Sequence, residues 1–158
     1  MRMKASLSLL AAAAVCTANA AAAEVTYTRD IVPIFKEWCA ECHGAQSPVL
    51  HDFLKDEKKF TKEKTGPRMS SYADLVFYVG WPDTGALMRR LDDGKSVRDG
   101  KPGNMYSKLG SDEAERQKNL KVFKDWVGEG GWNMNRWKAR GEVPAITKEQ
   151  LDKLLLKP

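Results

Sequence analysis

Apolar residues in this chain recur mostly at spacings of three and four, interrupted by glycine and proline, so the pattern predicts short helices rather than strands. Over residues 30–38, Ile31, Ile34, Phe35 and Trp38 share one face. Asp30 suits the N-cap there, and Pro33 falls in the first turn, where a missing N–H is tolerated. A second helix is expected over residues 70–79, capped by Ser70 or Ser71 and stopped by Gly80; β-branched and aromatic residues leave a buried strand as the competing reading for residues 75–79. A third, short helix is expected over residues 85–91, with Leu87, Met88 and Leu91 on its apolar face. The clearest helix runs from Ser111 or Asp112 to Val127. Leu120, Phe123, Trp126 and Val127 form its buried stripe, Asp112 and Glu115 can make a capping box, and Gly128 ends it.

Between these elements lie two polar stretches. Residues 45–68 carry the charge run Lys55-Asp56-Glu57-Lys58-Lys59 and close on Gly66-Pro67, which predicts an exposed loop with one short helix. Residues 96–110 hold three glycines and a proline with no apolar period, which predicts a loop. After Trp132 comes a tail with a short amphipathic segment starting at Thr147, too short to be stable unless it docks on the body or on a partner.

The first 23 residues read differently. A basic Met1-Arg2-Met3-Lys4 precedes an apolar, alanine-rich run and small-x-small sites at Ala18-Asn19-Ala20 and Ala21-Ala22-Ala23. That order is expected of a secretory signal peptide, and the run is too short to span a bilayer. Cys16 follows Val15 and is read as part of the discarded leader. Residues 24–132 then form one domain and residues 133–158 an extension. Arg2 and Lys4 leave with the leader, taking the formal charge from +5 to +3. So small an excess gives no ground for expecting nucleic acid as a partner, and the mature chain offers no stable membrane insertion.

The chemistry concentrates in Trp38-Cys39-Ala40-Glu41-Cys42-His43. C-x-x-C-H is the attachment signature of a c-type haem. Two cysteines one turn apart can each form a thioether to a porphyrin vinyl group, and the adjoining histidine is then placed beneath the iron. A structural zinc site needs four ligands, and the only other His and Cys are His51 and Cys16. A thioredoxin-like pair requires a βαβ context that nothing downstream supplies. One covalent haem, held by Cys39 and Cys42 with His43 on the iron, is therefore expected.

Haem iron in electron-transfer proteins takes a second protein ligand, and a thioether there raises the reduction potential. Met105, on the glycine-rich loop leading into the last long helix, is the first candidate, and Met69 is the second. Met88 lies within a helical stripe and reads as core, while Met134 follows the last clear helix. His51, in the charged loop, reads as solvated.

These residues resemble those of class I cytochromes c. Asp30-Ile31-Val32-Pro33-Ile34-Phe35 before Cys39, with His43-Gly44 after, is similar to the opening of many bacterial members, and residues 120–132 are similar to their closing helix. The resemblance implies an all-α, cytochrome c-like fold with the N- and C-terminal helices packed around one haem. It implies His/Met ligation and a periplasmic electron carrier, not an enzyme, exchanging electrons with other periplasmic redox proteins. Two departures stand out: Tyr106 follows Met105 where the family commonly has proline, and the tail is longer than a minimal member needs. Two other readings remain open. One is a haem subunit of a larger periplasmic oxidoreductase, docked through the tail. The other is a peroxidase-like enzyme or gas sensor with an open iron site, for which His51 is the one distal histidine available.

The leader yields a direct expectation. Mass spectrometry of the exported protein should find an N-terminus between Ala21 and Glu24; a mature chain retaining Cys16 would show an anchored form instead.

Overall fold

The computed structural model describes residues 24–80, 85–132 and 147–158; the leader, Met134 and Trp137 lie outside the described residues. Among the described residues the ordered elements are all helical. The chain opens on a reciprocal cap. The Thr26 hydroxyl accepts from Arg29 N–H, and Asp30 Oδ2 accepts from Thr26 N–H at 2.7 Å. These bonds start a wide π turn, Tyr27–Ile31, that runs straight into α1, Val32–Trp38. The cap expected at Asp30 is thus corrected to Thr26: winding begins earlier, and Asp30 turns back to satisfy the first free N–H. After a one-residue kink at Cys39, α2 spans Ala40–His43.

The polar stretch that follows holds two short helices, α3 (Leu50–Lys55) and α4 (Glu57–Lys62), where one was expected. Asp56 leaves the helical conformation between them, and its carboxylate caps α4 by accepting from Lys59 N–H. Stacked Phe53 and Phe60 rings, 5.8 Å apart, hold the pair together. Next come α5 (Tyr72–Val79) and α6 (Ala86–Leu91). Ser71 and Asp74 form a complete capping box on α5, which fixes helix over the competing strand. A short 3₁₀ turn, Tyr106–Lys108, interrupts the expected loop before α7 (Glu113–Val127). Asp112 accepts from Glu115 N–H as expected, but the Glu115 carboxylate turns to Ser111, bonding both its N–H and its hydroxyl at 2.8 Å.

The core lies where α7 crosses the opening π turn and meets α5 and α6. Trp126, Ile31 and Val79 have no accessible surface. Helix α8 is a single turn, Lys148–Leu151, and the chain then runs back over the body. Lys157 O accepts from Tyr27 N–H (2.8 Å) and from Trp126 Nε1–H (2.9 Å), Leu156 O accepts from the Tyr72 hydroxyl, and Leu155 and Leu156 N–H donate to Val127 and Trp126 carbonyls. Of the two docking options, the body is the one this end takes. Glycines clear its path: a Cβ on Gly131 would stand 2.4 Å from Leu154 Cδ2.

Removing residues 153–158 strips acceptors from three buried or half-buried donors around Trp126. Denaturant unfolding of the haem-loaded protein should show a loss of at least ~2 kcal/mol. An unchanged midpoint would mean that the strap contributes no stability.

Candidate functional site

Helix geometry sets the two cysteines. Cys39 N–H donates to Phe35 O, and His43 N–H donates to Cys39 O, both at 2.9 Å, so one turn of chain carries Cys39, Cys42 and His43 together. The two thiols are not bridged. Burial, with Cys42 adding to it, pushes the Cys39 thiol up to about 11, so it is uncharged at neutral pH. A reactive dithiol pair needs the opposite shift. Among the described residues, no group of three or more His, Cys, Asp or Glu side chains is arranged to hold a metal ion.

The histidine is held from behind. His43 Nδ1 lies 2.7 Å from Pro67 O. A carbonyl can only accept, so Nδ1 carries the proton and the ring's lone pair is on Nε2. Burial is the main cause that lowers the His43 pKa, the Pro67 bond opposes it, and the nearby Arg90 guanidinium adds to the lowering. The imidazole is therefore neutral, the form that ligates iron, with its tautomer fixed by an outer partner.

Gly66 makes room for this arrangement. A Cβ there would fall 2.1 Å from His43 Cε1, so no other residue fits without moving the ring. The same returning segment closes the end of α2. Cys42 O accepts from Gly66 N–H (2.8 Å) and the Ser47 hydroxyl (3.0 Å), and His43 O accepts from Met69 N–H (3.0 Å). Carbonyls left over at a helix end are thus satisfied by the far end of the polar loop. Two thiols on one turn, a neutral imidazole with Nε2 free to ligate, and a cradle that only glycine allows fit a covalently attached haem.

The methionines separate by position. Met88 is 1% exposed and belongs to the core. Met69, half-buried, starts on the His43 side, because its own N–H is bonded to the His43 carbonyl. Met105, also half-buried, is tied to α6 instead. Its N–H donates to Arg90 O (2.9 Å), and Gly103 N–H donates to Asp92 O (2.8 Å). Gly103 sits so close to α6 that a Cβ would meet the Arg90 and Arg89 carbonyls at 2.3 and 2.4 Å. His51 is exposed on α3. Sequence reading placed Gly66 and Pro67 only as the close of a loop. The Gly-Pro pair was visible, but not that a loop more than twenty residues long brings it back against His43.

An all-helical body that carries a C-x-x-C-H turn with a buttressed histidine points to a c-type cytochrome. The PccH cytochrome c family matches residues 26–158, and the chain belongs to it. The solved structure of the monohaem cytochrome PccH from Geobacter sulfurreducens is 52% identical, covers 85% of this chain and 99% of its own, and superposes with a TM-score of 0.74. No protein of curated function matches the chain. The protein is a cytochrome c-like, all-α monohaem cytochrome with one covalently bound haem c, and its role is haem-based electron transfer.

The cradle gives a test. Gly66→Ala should force the His43 ring off Pro67 O and cost the haem-loaded protein about 1–3 kcal/mol, as overpacking in a filled site does. Thermal unfolding at wild-type temperature would show that residue 66 does not confine the ring.

Proposed function

We propose that the protein is an exported, periplasmic electron carrier whose haem is held by Cys39 and Cys42 through thioethers, with His43 and Met105 as the axial ligands of the iron. The observation that carries this reading is His43 itself: neutral, half-buried, fixed at Nδ1 by Pro67 O and presenting Nε2. When bound, the haem supplies a one-electron Fe(III)/Fe(II) couple, and a thioether ligand raises its potential. The chain's task is to hold both ligands still through that cycle.

Two features favour Met105 over Met69 on the second side. Met69 N–H is bonded to the His43 carbonyl, which ties its backbone to the same turn that carries the histidine. Met105 N–H is bonded to the carbonyl of Arg90, whose guanidinium acts on His43, so α6 ties the methionine loop into the histidine's neighbourhood. Exposed lysines of α3 and α4 suit weak, salt-sensitive docking on acidic redox partners. Residues 155–157 are engaged by the body, which supports a free carrier over docking through that end of the tail. Among the described residues, no helix is long and apolar enough to cross a membrane.

Optical spectra of protein matured with covalent haem test the ligands. Wild-type oxidised protein should show the far-red methionine–iron charge-transfer band, and the reduced form should resist carbon monoxide. Met105→Ala should abolish the band, admit carbon monoxide and lower the potential, whereas Met69→Ala should keep the band. A wild type that lacks the band and binds carbon monoxide readily would make this an open-site haem protein.

A further inference from the structure

Met105 sits at the end of a long irregular segment, and its backbone bonds to α6 are made before the chain turns away. Something has to hold the other side. The next residue, Tyr106, is 8% exposed and places its hydroxyl against α7. The phenol donates to Glu113 Oε1 at 2.6 Å and accepts from Gln117 Nε2 at 2.7 Å. Gln117 Nε2 also lies 3.0 Å from Glu113 Oε1 and 3.1 Å from Asp93 Oδ2, at the start of the same segment. Hydrogen bonds from Tyr106 and Gln117 hold the Glu113 carboxyl below its ordinary range, so it is a carboxylate at neutral pH and the phenol bond is charge-assisted.

The geometry points to Tyr106 as a positioning residue for Met105: its hydroxyl, clamped by Glu113 and Gln117, keeps the methionine loop closed against α7. This rests on the ligation by Met105 proposed above. The ring of Tyr106 is a core group and would pack as well without the oxygen. What the oxygen adds is a link from the residue adjoining the ligand, through Gln117, to both α7 and the loop's own beginning. Lys108 N–H donates to Met105 O at 3.0 Å, so the 3₁₀ turn carries any movement of Tyr106 directly to Met105.

Opening of the loop is read by letting imidazole displace the methionine from oxidised, haem-loaded protein, followed by loss of the charge-transfer band. Tyr106→Phe keeps the ring and removes the clamp, and should raise the apparent imidazole affinity about fivefold to tenfold, the net effect of one ordinary hydrogen bond, since the Glu113 carboxylate is exposed to water. Glu113→Gln should raise it less. Tyr72→Phe is the control: it loses a comparable hydroxyl bond, to Leu156 O, remote in sequence from the loop. It should lower the unfolding midpoint and leave imidazole affinity at the wild-type value. If Tyr106→Phe also leaves affinity unchanged, or if both variants raise it alike, the hydroxyl is no ligand clamp and the inference fails. The ligation would then still stand on the band and on its loss in Met105→Ala. A wild type without the band would overturn the ligation and the clamp together.

Discussion

One hydrogen bond, from His43 Nδ1 to Pro67 O, is the contact on which the site is built. It selects the tautomer, sets the ring's orientation and uses up the proton that would otherwise compete for the lone pair on Nε2. It can form only if residue 66 has no side chain, and only if the intervening loop returns to the end of α2. The polar stretch over residues 45–68 is therefore more than an exposed excursion. Its outer part, α3 and α4, is charged and held by a stacked phenylalanine pair, whereas its last residues are built into the site.

The rest of the fold serves rigidity in a different way. A haem site that changes oxidation state gains from ligands that do not move, and here short helices are pinned by specific bonds rather than by length. Helix α2 has one turn, yet its terminal carbonyls are taken up by Gly66, Ser47 and Met69. Helix α6 has six residues, yet its final carbonyls receive Gly103 and Met105. The buried carboxylate of Asp92 adds to this, accepting from Gly94 N–H and from the Trp132 indole. Each of these bonds removes backbone freedom from a loop that could not stay ordered on its own propensity.

Much of this was legible in the sequence, and for identifiable reasons. The stripe Leu120-Phe123-Trp126-Val127 follows helical spacing and is buried as read, and so are Ile31, Ile34 and Phe35, while Trp38 on the same face is only half-buried. Gly80 and Gly128 do end their helices. The motif's residues needed no fold to be picked out, because five consecutive positions carry the signal. What could not be read depends on contacts between distant segments. The Thr26–Asp30 cap hinges on a π turn that local propensity does not announce. Asp56 as a break within a charge run looked like any other solvated residue. Most of all, the partners of His43 and Tyr106 lie a loop or a turn away, and spacing along a chain says nothing about which carbonyl a loop will bring back.

The strap that covers Trp126 also brings the chain nearly full circle. Tyr27, near the first described residue, shares the Lys157 carbonyl with Trp126, and Lys157 Nζ stands 3.7 Å from Glu24 Oε1. The two ends of the folded body therefore leave it side by side. A circular permutant that joins them with a short linker would cross no core element, and loop-closure entropy would be small for so narrow a gap. New ends would have to be opened outside residues 39–69, because every bond around His43 depends on that segment staying uninterrupted. In an electrode-coupled or fused carrier, attachments at Glu24 and Lys157 would share one point of tethering, and whatever is attached there must share the face on which the aromatic cluster is sealed.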